Sequence, residues 1–189
     1  LEVDGTILEV ASTIQAMHFD EEGVLWVTAT TNNIEGSLND REAGSFQHQV
    51  FSLDVTPGPA VRGLEADLSR QESSQGSTAT IHGFVHCLDS VWVAAEGSDA
   101  VLELNAELQE LRRVAVAGRP RALVCGTDAV WAISSNRMEV SRVGKETSTH
   151  SLGLEDPRSQ ALRDGLEYFT GQGEGAGDNR ACNSCHTDG

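Results

Sequence analysis

The chain has 189 residues, a length that allows one large domain or one and a half smaller ones. Hydrophobic residues make up 39% and aromatic residues 5%, which is enough for a packed core. Its net charge of −16 opposes binding to nucleic acid phosphates and to anionic membrane surfaces. No apolar run approaches the roughly 18 residues of a membrane span. No basic, apolar leader opens the chain, so we expect any export signal to have been removed or to lie outside this sequence. The charge suits a cationic partner; a solvated surface that only keeps the protein soluble is the alternative.

Three tryptophans mark an internal repeat. Trp26, Trp92 and Trp131 each lie in the second of two short apolar strands joined by a turn that contains Asp. Trp92 and Trp131 are 39 residues apart, close to the period of about 40–45 residues of four-stranded propeller blades. The sequence therefore predicts a mainly β protein with about three blades of a partial β-propeller in residues 1–153. Because propellers typically use about four to eight blades, we expect further chain or a partner subunit to close the ring.

The predicted strands follow in chain order. The first blade begins with strands at residues 15–19 and 24–30 and resumes at 48–53, with polar loops at 31–45 and 69–77. The second blade has strands at 83–88, 91–95, 100–104 and 111–116, and the third has strands at 121–125, 129–133, 138–143 and 147–152. Residues 6–10 fit an outer strand of a preceding blade.

Two cysteines occupy equivalent positions of the second and third blades. In an oxidising compartment, Cys87 and Cys125 can form a disulfide if their Cα atoms come within about 7 Å, which requires positions near the propeller axis. Two buried free thiols are the alternative. The sequence leaves this choice open.

The character of the chain changes after residue 152. Asp156 and Pro157 fit the N-cap and the first position of a helix over residues 158–169, in which apolar residues recur at helical spacing. Gly171 is the expected C-cap. A glycine-rich loop at 171–177 follows the helix.

The last motif is Cys182-Asn183-Ser184-Cys185-His186, the C-x-x-C-H signature of covalent c-type haem attachment. Each thiol can add to one vinyl group of the porphyrin, and His186 then binds the haem iron as proximal axial ligand. A zinc half-site would need a second ligand pair, and a thioredoxin-like redox pair would need a βαβ unit; the sequence provides neither. We therefore predict haem c bound through Cys182, Cys185 and His186.

Five other side chains are of types that could bind the haem iron. Met17 and Met138 lie in strand patterns, and we expect both to pack in the core. His18, His82 and His86 lie in or beside inner strands, where a structural role is expected, although one of them could line the axis or face the haem.

Residues 161–189, with Gly165, Phe169 and the run from Cys182 to Gly189, resemble the haem-binding opening of the cytochrome c peroxidase and MauG-like di-haem proteins. The blades resemble the YVTN/WD-like propeller that precedes this domain in some bacterial members. The resemblance implies that residues 154–189 are the first helix and haem-binding loop of a cytochrome c domain that continues beyond this sequence. In that family the distal ligand and the peroxide-handling residues follow later, so no catalytic residue is assigned here.

Covalent haems of this type are attached outside the bacterial cytoplasm, so we expect a periplasmic or extracellular protein. The first functional hypothesis is an electron-transfer haem protein, of the di-haem peroxidase or MauG-like oxidoreductase type, with the propeller as docking module. The alternative is a propeller binding or assembly subunit of a larger complex, whose haem serves only as an electron carrier. The acidic net charge suits an electron-transfer partner with a basic docking surface.

Overall fold

The computed structural model describes residues 2–3, 6–7, 13–32, 46–55, 61–69, 78, 80–134 and 136–170. Within these residues, strands β1 (Glu2–Val3) and β2 (Thr6–Ile7) form an antiparallel pair. Twelve further strands form three four-stranded antiparallel sheets, followed by helix α1 (Gln160–Thr170). The prediction of a mainly β fold is confirmed.

Each four-stranded sheet is a meander of consecutive strands, which is the construction of a propeller blade. Blade 1 contains β3 (Thr13–Phe19), β4 (Leu25–Asn32), β5 (Phe46–Asp54) and β6 (Val61–Asp67). Blade 2 contains β7 (Ile81–Cys87), β8 (Ser90–Ala95), β9 (Ala100–Leu104) and β10 (Glu110–Ala115). Blade 3 contains β11 (Pro120–Cys125), β12 (Val130–Ser134), β13 (Glu139–Val143) and β14 (Thr147–Ser151).

The predicted strands of blades 2 and 3 agree with these bounds to within two residues. In blade 1 the three predicted strands are present, but β6 was not predicted. The predicted outer strand at 6–10 is represented by β2, which pairs with β1; residues 8–10 lie outside the described part. The predicted loops at 31–45 and 69–77 lie almost wholly outside it as well.

The core lies between the blades, and strand β8 of the central blade is buried on both faces. In β8, Val91, Val93 and Ala95 pack in a cluster with Trp26 of blade 1. Trp92, which points the other way, packs with blade 3. This alternation follows from the period-2 geometry of a strand, and it explains why β8 is almost continuously apolar.

The inner strands of neighbouring blades lie close together. A Cβ atom on Gly83 of β7 would come within 2.8 Å of the backbone oxygen of Arg121 in β11. On the other side, the hydroxyl of Thr28 in β4 donates a hydrogen bond of 2.7 Å to the carbonyl of His82. The inner strand β7 is therefore closely packed against β11 of blade 3, and it is hydrogen-bonded to β4 of blade 1.

Helix α1 begins two residues later than predicted. The Asp156 carboxylate accepts hydrogen bonds from the backbone N–H and the guanidinium of Arg158, so the prediction that it caps the helix is wrong. Ser159 has this role instead: its carbonyl accepts from the N–H of Arg163 and its hydroxyl from the N–H of Leu162. The division into domains at residues 153 and 154 stays a prediction.

Candidate functional site

The predicted haem-attachment residues Cys182, Cys185 and His186 lie outside the described residues, as does Gly171 with the glycine-rich loop. Haem attachment therefore stays a prediction. Among the residues that the structure describes, no group of three or more His, Cys, Asp or Glu side chains could hold a metal ion. In the same part of the chain, no helix has the length and apolar character needed to cross a membrane.

The other side chains considered as haem ligands have different surroundings. His82 is buried, and its Nε2 atom lies 2.7 Å from the Glu96 carboxylate, so its predicted structural role is confirmed. Met17 is 54% exposed, and the prediction that it packs in the core is wrong, because β3 is an edge strand whose last three residues are all exposed. Met138 is half-buried in the turn before β13, with a positive φ of 50°.

His18 and His86 belong to an aromatic cluster at the contact of blades 1 and 2. The His86 ring lies edge-on to Trp26 with 4.6 Å between centroids. Phe84 lies near both histidines, with its centroid 5.9 Å from that of His18 and 6.2 Å from that of His86. Trp26 Nε1 donates a hydrogen bond of 2.8 Å to Asp20, which fixes the indole ring. The sequence signal was the Asp that precedes the tryptophan in the β3–β4 turn.

Two pKa values in this cluster are shifted. Burial raises the pKa of Asp20, but hydrogen bonds from Trp26 Nε1 and from the backbone N–H groups of Val24 and Glu22 outweigh burial and lower it. Partial burial of the ring lowers the pKa of His86, and the neighbouring His18 lowers it further; the charges of Asp20 and Glu22 oppose this. The net effect lowers the pKa of His86 and favours its neutral imidazole form.

Cys87 and Cys125 form a disulfide with a Cα–Cα distance of 5.4 Å. The sequence left open whether these residues form a disulfide or remain two buried free thiols, and the structure contains the disulfide. The bond joins the ends of inner strands β7 and β11, which is where equivalent positions of adjacent blades come closest. A disulfide of this kind persists in oxidising compartments.

A polar cleft of about 240 Å³ lies between helix α1 and the loops at one end of blades 2 and 3. One side of it is formed by Arg119, whose side chain is largely buried. The Arg119 guanidinium donates to the carbonyls of Gly97 (3.2 Å) and Glu167 (3.4 Å) and lies 3.5 Å from the Asp99 carboxylate. Arg119 therefore connects blade 2 to α1.

Helix α1 turns its polar side to this cleft. Gln160, Arg163, Asp164 and Glu167 all line it, and their spacing places them on one face of the helix. Leu162, on the opposite side, is 63% exposed. This is the reverse of an ordinary surface helix, which directs its apolar stripe toward the protein.

The facing wall comes from the inter-blade connection and the β12–β13 turn. Gly118 has a φ of +86°, and a Cβ atom there would come within 2.8 Å of the Arg137 side chain, so glycine is required on both counts. Arg119 has a φ of 64° although it is not glycine. Asn136 and Arg137 complete this wall. Sequence reasoning missed the cleft; the polar stripe of α1 was the available signal.

Three consecutive antiparallel four-stranded sheets, packed against one another in chain order, define a mainly β protein that fits a partial propeller. Similar solved structures include virginiamycin B lyase from Staphylococcus aureus, with a TM-score of 0.46, 10% identity and coverage of 77% of this chain and 57% of that chain. A catalytically inactive variant of that lyase with Quinupristin has a TM-score of 0.46, 10% identity and coverage of 78% and 58%. A streptogramin B lyase has a TM-score of 0.46, 14% identity and coverage of 77% and 57%.

The chain thus spans less than two thirds of the length of these structures. No protein-family model and no curated protein matches it. The sheet order and the contacts between blades, rather than these similarities, define the fold.

Proposed function

We propose that this chain carries a covalently attached c-type haem and takes part in electron transfer outside the bacterial cytoplasm. The observation that carries the proposal is the C-x-x-C-H motif, with Cys182 and Cys185 as thioether donors and His186 as proximal ligand. The donor set fits the group, because two thiols at this spacing match two vinyl groups and a neutral imidazole suits iron. When bound, the haem supplies one-electron chemistry, and the polypeptide supplies attachment and orientation.

The disulfide supports the proposed compartment. The Cys87–Cys125 bond is expected in the periplasm or in an extracellular protein, where c-type haems are also attached. The same pair would be reduced in most cytosolic proteins. The blade cysteines and the motif cysteines therefore point to one compartment for independent reasons.

The net charge of −16 supports a cationic electron-transfer partner with a basic docking surface. Electrostatic steering of this kind weakens with ionic strength, because the Debye length falls from about 30 Å at 0.01 M salt to about 8 Å at 0.15 M. We expect the second-order rate of electron exchange between the haem-loaded chain and a basic cytochrome to fall over this range. An anionic carrier is the control, and its rate should rise. A rate for the basic cytochrome that did not depend on salt would contradict the docking proposal.

A second proposed partner is a further blade or a partner subunit that packs against blade 3. Trp26 and Trp92 are 6% and 2% exposed because the following blade covers them. The equivalent Trp131 is only partly buried, and Val124 and Ile133 beside it in the sheet are 52% and 39% exposed. The open face supports the alternative function, a propeller binding or assembly subunit whose haem only carries electrons.

The test of haem attachment is expression in a bacterial host with c-type haem maturation. We expect a pyridine haemochrome spectrum and an intact mass increased by one haem. The double substitution Cys182→Ala and Cys185→Ala should abolish both signals. The matched control, Cys87→Ala with Cys125→Ala, removes the same number of thiols from the blades and should keep the haem. Unmodified Cys182 and Cys185 in the mass spectrum of the parent chain would refute the proposal.

Peroxide turnover separates the two functions. Peroxidase or MauG-like activity in the haem-loaded protein would support an oxidoreductase. Electron exchange without peroxide turnover would favour plain electron transfer, or a scaffolding role of the propeller, over an oxidoreductase.

A further inference from the structure

We propose that the cleft between helix α1 and blades 2 and 3 binds a small zwitterion, such as a free α-amino acid, independently of the haem. The cleft combines cationic and anionic side chains, most of which form no ion pair within the part of the chain that the structure describes. A ligand that carries both a carboxylate and an ammonium group would pair with both sets.

The cationic side consists of Arg137 and Arg163. Within the described residues, Arg137 makes no ion pair; its stem packs on Gly118. Arg163 donates hydrogen bonds to the carbonyl of Arg158 (3.0 Å) and to the side-chain oxygen of Gln160 (2.7 Å), both of which are uncharged. Its charge also acts on the Asp156 carboxylate and lowers the pKa of that group, but Arg163 forms no ion pair within the described residues. Two guanidinium groups are thus available to a carboxylate, which they bind in a fork geometry.

The anionic side consists of Asp164 and Glu167. Asp164 accepts a hydrogen bond of 2.6 Å from the Gln160 amide, which does not neutralise its charge. Among the described residues, the Glu167 side chain contacts no cation, although its backbone carbonyl is bound by Arg119. These two carboxylates are available to an ammonium group. The third acid, Asp99, is already paired with Arg119 and accepts from its backbone N–H at 2.9 Å.

The balance of charge decides the class of ligand. A simple anion would gain from Arg137 and Arg163 but would be repelled by Asp164 and Glu167, which line the same cleft. A simple cation would meet the opposite difficulty. In a protein of net charge −16, the guanidinium groups also offset the general repulsion of a carboxylate.

The dimensions decide its size. Ligand pockets for drug-sized molecules usually measure about 300–1,000 Å³, so a cleft of about 240 Å³ suits a smaller molecule. Its walls are also fixed: the φ of 64° at Arg119 is an unfavourable conformation for a residue with a side chain, and four contacts of that side chain hold it in place. Such a conformation at a non-glycine residue often accompanies a functional site.

The test is isothermal titration calorimetry of the 189-residue chain with the common L-amino acids. We expect at least one to bind with a Kd of about 1 mM or lower. Its N-acetyl derivative, which lacks the ammonium group, and its amide, which lacks the carboxylate, should each bind at least about tenfold more weakly. If no amino acid binds, or if either single-charge derivative binds as tightly as its parent, the proposal is wrong.

Variants locate the binding. Arg137→Gln and Glu167→Gln each remove one charge from an exposed side chain of the cleft and should each weaken binding about tenfold. Lys145→Gln and Glu155→Gln make the same changes at exposed positions outside the cleft and should leave the Kd unchanged. Thermal melting verifies that all four variants fold. Equal effects of cleft and control variants would also refute the proposal.

Discussion

The disulfide between Cys87 and Cys125 links blade 2 covalently to blade 3. Its removal should therefore destabilise the protein substantially. The bond closes a loop with a sequence separation of 38 residues. In the chain-entropy model such a loop restricts the unfolded state by about 13 cal/mol/K, which gives about 4 kcal/mol at room temperature. This is a large part of the roughly 5–15 kcal/mol by which native proteins are stable.

Urea unfolding monitored by tryptophan fluorescence provides the measurement. With a slope of about 2 kcal/mol/M, a loss of about 4 kcal/mol lowers the urea midpoint by about 2 M. Reduction of the parent protein and the substitution Cys87→Ala with Cys125→Ala should both give this decrease. The double variant should not respond to the reductant. A decrease below about 0.5 M on reduction of the parent would refute the cross-link as the main constraint between these blades.

Three further predictions concern single sites. The pKa of His86, measured by NMR, should lie below its usual value of about 6.5 and should rise in the variant His18→Gln. In the parent protein, His86 binds a proton more readily in the unfolded chain than in the folded one, so its contribution to stability should be full above about pH 6.5 and should decline as the pH falls. The hydrogen bonds from the Arg158 side chain lower the pKa of Asp156 to about 2, so the stability of this turn should persist from neutral pH to about pH 4 and be lost as the pH falls through about 2; Arg158→Gln should raise the Asp156 pKa. Gly83→Ala should cost about 1–3 kcal/mol in urea unfolding, because its Cβ atom would collide with the backbone of β11, and an unchanged midpoint would show that the inner strands can separate.

The strands of blades 2 and 3 could be predicted from the sequence because their apolar segments are short and bounded by turn residues. Around Trp92 and Trp131, short apolar segments alternate with turns that contain Asp, and each blade supplies its own hairpin chemistry. The strand order then follows from chain order, because each sheet is a meander. The period of the tryptophans was therefore enough to predict the fold class.

Strand β6 could not be predicted because its sequence gives little pattern. It is an edge strand with most of its side chains exposed, and Gly63 interrupts it. Its position is set by β5: the Ser52 hydroxyl accepts a hydrogen bond of 2.9 Å from the Leu64 N–H, beside an irregularity in the register. Of its apolar residues, Val61 and Leu64 are 63% and 45% exposed, and only Leu68, which follows the strand, is buried at 1%.

At the start of helix α1, Asp156 and Ser159 are both possible N-cap residues, and local sequence rules do not decide between them. Asp156 followed by Pro157 is a favourable helix start, but Arg158 binds the Asp156 carboxylate and keeps it from capping the helix. The cleft was missed for a related reason: Asp99, Arg119 and Arg137 come from separate connections and meet only in the folded protein. No spacing in the sequence relates them.

Helix α1 lines the proposed zwitterion cleft and precedes, in the sequence, the motif that we propose to attach the haem. Its polar face lines the cleft, since Arg119 holds the Glu167 carbonyl and thereby orients this part of the helix toward the blades. Leu162 and Tyr168, which are 63% and 73% exposed, remain available for apolar contacts on other sides of the helix. A surface helix in this orientation leaves apolar area in water that a neighbouring segment or partner could bury. Because the side chains proposed to bind the zwitterion are not those proposed to attach the haem, Glu167→Gln should weaken zwitterion binding and leave haem attachment intact. Loss of the motif thiols should in turn leave the cleft able to bind.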